Sequence, residues 1–220
     1  MKLFFKLSIV LIITISIPSF AFAQPFIKEI NYFKKLDSLN VPPENPILFI
    51  GSSSFTNWKD VRSYFPAYNI LNRAFGGSSL EHQVLYADDI IFRYRPRQIV
   101  IYCGENNLSA GPDVTGESIA KKYIELHQLI RSRLPKVPIV YISMKPSPSR
   151  EKYLPVMTEG NRLIRKYIKK QRKSAYVDVF SAMFTKDGAI MPDIFLSDKL
   201  HMNKKGYEIW QPIIQPYLLK

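Results

Sequence analysis

Cysteine and histidine are scarce in this 220-residue chain, which has one of the first and three of the second. A single cysteine, Cys103, excludes an internal disulfide. It lies inside an apolar run, which marks it as a small buried hydrophobe rather than a nucleophile. Histidines at 82, 127 and 201, with no acid-rich cluster beside them, do not make a metal site. The sequence has no internal repeat and no low-complexity linker. Beyond the first two dozen residues, no stretch is apolar for long enough to span a bilayer. Acids are also few against bases, 18 to 31, for a net charge of +13.

What is present begins with a segment that reads as a secretory signal peptide over residues 1–23. Lys2 and Lys6 form a basic start, Leu7 to Ile17 an apolar core, and Ala21-Phe22-Ala23 places small residues at −3 and −1 of a cleavage site. The alternative is an uncleaved membrane anchor, against which the apolar stretch is short for a spanning helix and is interrupted by Pro18. The expectation is export, periplasmic or secreted, after cleavage near Ala23-Gln24, with no stable membrane insertion afterwards. The remaining residues, 24–220, suit one domain with a core large enough to fold without disulfides.

Removing two lysines leaves a charge of +11 on the mature chain. Such a balance could attract nucleic acid or an anionic surface. The bases concentrate, however, between Arg162 and Lys173, where Leu163, Ile164, Tyr167 and Ile168 recur at helical spacing. This describes the solvated face of an amphipathic helix, and no nucleic-acid partner is expected.

Along the chain, apolar runs alternate with helical patterns. A first amphipathic helix is expected over about Pro25 to Leu39, with Phe26, Ile27, Ile30, Phe33 and Leu36 on one side. Five strands are expected at Ile47–Ile50, Tyr68–Leu71, Gln98–Tyr102, Ile139–Ser143 and Ala175–Val179. Helices are expected between them, near Leu80–Phe92, Val114–Leu134 and Tyr153–Arg172, and a last one over about Lys204–Leu218. Strands apolar throughout and separated by helices imply a parallel sheet covered on both faces, an α/β fold in the form of a three-layer α/β/α sandwich. Sites in such sheets form outside the carboxyl ends of the strands.

The polar, unusual residues do follow strand ends. Gly51-Ser52-Ser53-Ser54 follows the first strand, where serines either cap a helix or present a nucleophile. Gly76-Gly77 follows the second, as a tight turn or as backbone open to a substrate oxygen. Gly104-Glu105-Asn106-Asn107 follows the third, where an asparagine serves either a turn or an oxyanion. Asp198-Lys199-Leu200-His201 precedes the last helix. A carboxylate three residues before a histidine can hold Nδ1–H and leave Nε2 as a base, or can be an ordinary surface pair. Mid-helix His127 reads as structural. His82, just past the glycines, lines the pocket or belongs to the scaffold.

The segments ILFIGSSSFTNW, NRAFGGSSLEH, IYCGENN and FLSDKLHMNKKGYEIW resemble, in order and spacing, the sequence blocks of the SGNH (GDSL-like) hydrolases. YISMKPSPSR, Tyr141 to Arg150, resembles a segment of family members that carry GSSS in the first block. The resemblance covers the whole mature chain. It implies a flavodoxin-like fold with five parallel strands in order 2-1-3-4-5, hydrolysis of esters, and no cofactor. Carried over by position, it places the nucleophile on Ser53, the acid and base on Asp198 and His201, and the oxyanion hole on Ser53, Gly77 and Asn106. Two positions depart from the family pattern: Ser52 replaces the aspartate usual before the nucleophile, and Asn107 replaces the aspartate of GxND.

The function expected is that of a serine esterase working through an acyl-enzyme on short-chain (acetyl) esters of carbohydrates. The alternatives are a lysophospholipase or thioesterase acting on longer acyl chains, and a non-catalytic ligand-binding member of the same fold. The partner expected is a small-molecule or glycan ester.

Overall fold

A computed structural model describes residues 24–220; the expected signal peptide, residues 1–23, lies outside the described residues. The five apolar runs form strands β1 (Ile47–Gly51), β2 (Ile70–Asn72), β3 (Gln98–Tyr102), β4 (Ile139–Ile142) and β5 (Ser174–Val177). All four pairings are parallel, and the strand order is β2-β1-β3-β4-β5. The sheet and its order match expectation.

Strand periodicity assigns neighbouring residues to opposite faces. Leu48 and Ile50 enter one core layer with Ile30, Ile119, Tyr123, Leu126 and Ile164. Ile47 and Phe49 enter the other with Phe55, Trp58, Tyr207 and Trp210. Because both faces are covered, β1 and β3 are buried at every position.

Among the described residues eight α-helices surround the sheet: α1 (Ile27–Leu39), α2 (Ser53–Thr56), α3 (Val61–Tyr64), α4 (Leu80–Leu85), α5 (Ala87–Ile90), α6 (Gly116–Arg133), α7 (Leu154–Ile168) and α8 (Lys204–Ile214). Two expectations need correction. The single helix expected over Leu80–Phe92 is α4 and α5, divided at Tyr86, whose φ of −105° and ψ of 17° leave the helical region. The Tyr86 hydroxyl is drawn to the Pro25 carbonyl, a tertiary partner that local periodicity does not reveal. The second strand begins at Ile70 rather than Tyr68, because the Tyr68 N–H closes a turn on the Phe65 carbonyl, 3.0 Å away. The basic stretch behaves as expected: Ile164 and Ile168 of α7 are buried while Arg162, Arg165 and Lys166 are exposed.

Candidate active site

Gly51 ends β1 at a φ of +134°, a conformation that L side chains rarely adopt. The turn is fixed by the Ser52 N–H, which donates to the Tyr102 carbonyl at 2.9 Å, and it delivers Ser53 to the first position of α2. The capping alternative for these serines is not supported, since the Ser52 side chain makes no cap hydrogen bond. The Ser52 carbonyl instead accepts the N–H groups of Phe55 and Thr56, at 3.0 and 3.1 Å.

The glycine loop after β2 is drawn against this turn. The Phe75 N–H donates to the Gly51 carbonyl at 3.0 Å, and the buried Ser78 hydroxyl donates to the Phe75 carbonyl at 2.8 Å. A Cβ placed on Gly76 would lie 3.9 Å from the Ser53 Cβ, so Ser53 and the glycine pair are neighbours. Gly77 has a φ of +78°, and its open side meets the Phe26 ring. His82 joins the scaffold at this point. Its Nδ1 accepts the Ser79 N–H at 3.1 Å, its ring packs edge-on to Phe26, and burial lowers its pKa.

After β3, Asn106 donates through Nδ2 to the Ser78 carbonyl at 2.9 Å and accepts through Oδ1 from Arg150 Nη2 at 2.8 Å. Asn107 is buried against α4. Its Oδ1 accepts the Leu80 N–H at 3.1 Å, and its Nδ2 donates to Glu81 Oε2 at 2.7 Å. The second bond requires a donor, which explains why an amide stands here: a carboxylate would face that of Glu81. Cys103 is buried, and burial pushes its thiol up to about 12, consistent with a packing role.

The loop before α8 brings Asp198 and His201 together. Asp198 Oδ2 lies 2.6 Å from His201 Nδ1, while Oδ1 accepts the backbone N–H groups of Leu200 and His201 at 2.9 and 3.0 Å. These bonds, that to the His201 ring first, hold the Asp198 pKa down at about 2. The carboxylate thus engages the ring through Nδ1 rather than Nε2. Asp198 is the ring's hydrogen-bond partner; among the described residues no direct hydrogen bond joins His201 to the Ser53 hydroxyl.

His127 is buried mid-helix between the Tyr167 and Ser174 hydroxyls, 3.0 Å from each, in the structural role expected. Three buried or half-buried charged residues, Glu105, Lys145 and Arg150, also stand beside these loops without having been singled out. The available signal was their place, charged side chains in the segments that follow the apolar strands β3 and β4.

A model of the GDSL-like Lipase/Acylhydrolase family matches residues 49–209, a range that includes Ser53, Gly77, Asn106, Asp198 and His201. No curated protein matches the sequence. Among solved structures, one from Streptococcus pneumonia, provisionally described as a platelet activating factor, is 21% identical with a TM-score of 0.74, over 87% of this chain and 92% of that one. A GDSL-like lipase from Bacteroides thetaiotaomicron is 18% identical with a TM-score of 0.70, over 86% and 96%. A variant of an acetyl xylan esterase from Geobacillus stearothermophilus is 12% identical with a TM-score of 0.62, over 80% and 98%. At these identities the likeness is one of fold.

Proposed function

The chain belongs to the GDSL-like lipase/acylhydrolase family, and from that premise we propose that it is an exported serine esterase in which Ser53 is the nucleophile, His201 the base and Asp198 its orienting acid. The observation that carries the reading is the Asp198–His201 pair, held at 2.6 Å with the carboxylate's other oxygen locked onto backbone N–H groups. The closeness of Ser53 to Gly76, whose added Cβ would lie 3.9 Å from the Ser53 Cβ, supports the rest of the arrangement.

In this scheme His201 Nε2 removes the Ser53 proton as the hydroxyl oxygen attacks the ester carbonyl. The Ser53 and Gly77 N–H groups and the Asn106 carboxamide receive the oxyanion; loss of one such donor typically costs about 10²–10³ in kcat. The protonated His201 gives its proton to the departing alcohol. Water then attacks the acyl-enzyme, losing a proton to His201; the bond to the Ser53 oxygen breaks, His201 returns the proton to that oxygen, and the acid departs.

The substrate class proposed is short acyl esters of carbohydrates, acetyl above all. Support comes from the acetyl xylan esterase fold neighbour and from an N-terminus that reads as an export signal. One observation favours the second reading, longer acyl chains. A groove of about 520 Å³ lined by Phe33, Leu36, Trp58, Phe75 and Gly76 opens beside the glycine loop, and a cavity of that size and character suits an apolar ligand.

The test is hydrolysis of p-nitrophenyl acetate and acetylated xylo-oligosaccharides by the mature chain and by Ser53→Ala, with fluorophosphonate labelling of both. The expected result is hydrolysis and labelling that vanish together in the variant. Full activity in Ser53→Ala would remove the nucleophile assignment.

A further inference from the structure

Lys145 is among the largest fully buried side chains of the protein, and the acyl-transfer scheme gives it no task. A lysine costs several kcal/mol to bury unless its charge is matched. Its Nζ donates to Glu105 Oε1 at 3.2 Å and to the Leu200 carbonyl, one residue before His201, at 2.8 Å. The loop that carries Lys145 is itself pinned to α7, because the Asn161 carboxamide bonds both the N–H and the carbonyl of Met144 at 2.9 Å. Glu105 receives the Tyr102 hydroxyl on Oε2, and Arg150 Nη1 stands 3.4 Å from Oε1. Arg150 then extends the chain of contacts. Its Nη1 donates to the Glu105 carbonyl and its Nη2 to Asn106 Oδ1 at 2.8 Å. A continuous path therefore links Asn106 through Arg150, Glu105 and Lys145 to the residue beside His201.

The contacts of Asn106 are informative because a carboxamide has two distinguishable ends. Its oxygen accepts from a guanidinium and one of its N–H groups donates to the Ser78 carbonyl. A rotation by half a turn would set NH₂ against the guanidinium and oxygen against a carbonyl, two repulsive contacts in place of two bonds. One orientation is thus imposed, and the second N–H of Nδ2 is left for another acceptor. The charged donor on Oδ1 also polarises the amide, making that N–H a better donor. Arg150 bonds the Glu105 carbonyl and Asn106 Oδ1 through two nitrogens of one rigid planar fork, a spacing and direction that the single nitrogen of a lysine ammonium does not match.

We propose that Arg150, braced by Glu105 and Lys145, is a positioning residue that holds the Asn106 carboxamide as an oxyanion donor. The role rests on the serine-esterase reading and adds to it a group that acts only through Asn106. Arg150 touches no reacting atom; its guanidinium fixes which end of the amide faces the substrate oxygen.

The experiment is a double-mutant cycle on p-nitrophenyl acetate hydrolysis with wild type, Arg150→Gln, Arg150→Lys, Asn106→Ala and the pair Arg150→Gln/Asn106→Ala, each checked for folding by its Tm. Arg150 is at the rim of the cluster, so its truncation leaves the Lys145–Glu105 pair in place. The expected result for Arg150→Gln is a kcat loss of about 10–100-fold, smaller than removal of the donor itself, with KM nearly unchanged. Arg150→Lys fails to restore the rate, and Arg150→Gln costs nothing further once Asn106 is alanine. Three outcomes would overturn the role: wild-type kcat in Arg150→Gln, an effect confined to KM, or losses that multiply in the double variant. A wild type without Ser53-dependent hydrolysis would overturn the esterase reading and this role together, whereas an active wild type beside an unaffected Arg150→Gln overturns this role alone.

Discussion

The carbonyl oxygen of Tyr102 occupies the space that a side chain at Gly51 would need: a Cβ there would lie 1.9 Å from it. The same carbonyl accepts the Ser52 N–H, so the end of β3 and the turn before Ser53 are built as one unit. Gly51→Ala therefore combines a backbone clash with an unfavourable φ of +134°. The expected cost is about 3 kcal/mol or more, measured as a shift of the denaturant midpoint, with loss of whatever activity depends on Ser53. A variant as stable as wild type would mean that the turn can relax.

Asp198→Asn tests the orientation of the base. The amide oxygen can still accept the Leu200 and His201 N–H groups, but the amide nitrogen then faces His201 Nδ1. A donor there favours the tautomer with its proton on Nε2, which cannot take one from serine. A kcat loss of roughly 10³–10⁴-fold is expected, with little change in Tm because the carboxylate is half exposed. With its pKa held down at about 2, Asp198 stays ionised above pH 3 and contributes no acid limb to the rate profile there.

Asn107→Asp restores the family's commoner residue and should nonetheless destabilise this protein. It replaces the 2.7 Å donation to Glu81 with two facing carboxylates. A loss of about 1–2 kcal/mol is expected, reversed by adding Glu81→Gln, as read by thermal unfolding of the single and double variants.

His127 should make the fold acid-sensitive. Burial, assisted by the Arg131 charge, lowers its pKa from 6.5 to about 4. Between those values the unfolded chain binds a proton that the folded chain does not, so stability falls as pH drops through that window. A decline of about 2 kcal/mol is expected after allowing for screening. His127→Gln should flatten the slope of Tm between pH 6.5 and 4, and an unchanged slope would assign the acid sensitivity to other groups.

Leu36→Glu places a charge in the apolar groove beside Gly76. If the groove holds acyl chains, kcat/KM for p-nitrophenyl octanoate should drop about tenfold or more while acetate is unaffected, since covering a carboxylate with an apolar chain costs it its hydration. Equal kcat/KM ratios across a chain-length series would show that the groove is not used.

Much of the architecture was legible locally. Runs such as Ile47–Ile50 and Ile99–Tyr102 are short and apolar at consecutive positions, as a strand covered on both faces requires, and charged residues on α7 repeat at the spacing of a solvated helix. The residues of the candidate site follow strand ends, where a parallel sheet leaves backbone and loops free. The strand order came from resemblance to a family, because periodicity reports which face a residue occupies and not which strand lies beside it. The division of the helix at Tyr86 was invisible for a similar reason: the hydroxyl of the residue at the break bonds Pro25, 61 residues away in sequence.

The sequence by itself therefore determined the elements, their alternation and the identity of the groups able to do chemistry, since these depend on short-range periodicity and residue type. Only the tertiary structure decided which side chains would be deprived of water and with whom. Lys145 reads as one more surface cation until the sheet and the loop before α8 close over it. Arg150 becomes the partner of Asn106 only when segments 44 residues apart meet. Desolvation and hydrogen-bond direction are properties of that enclosure, and no local pattern carries them.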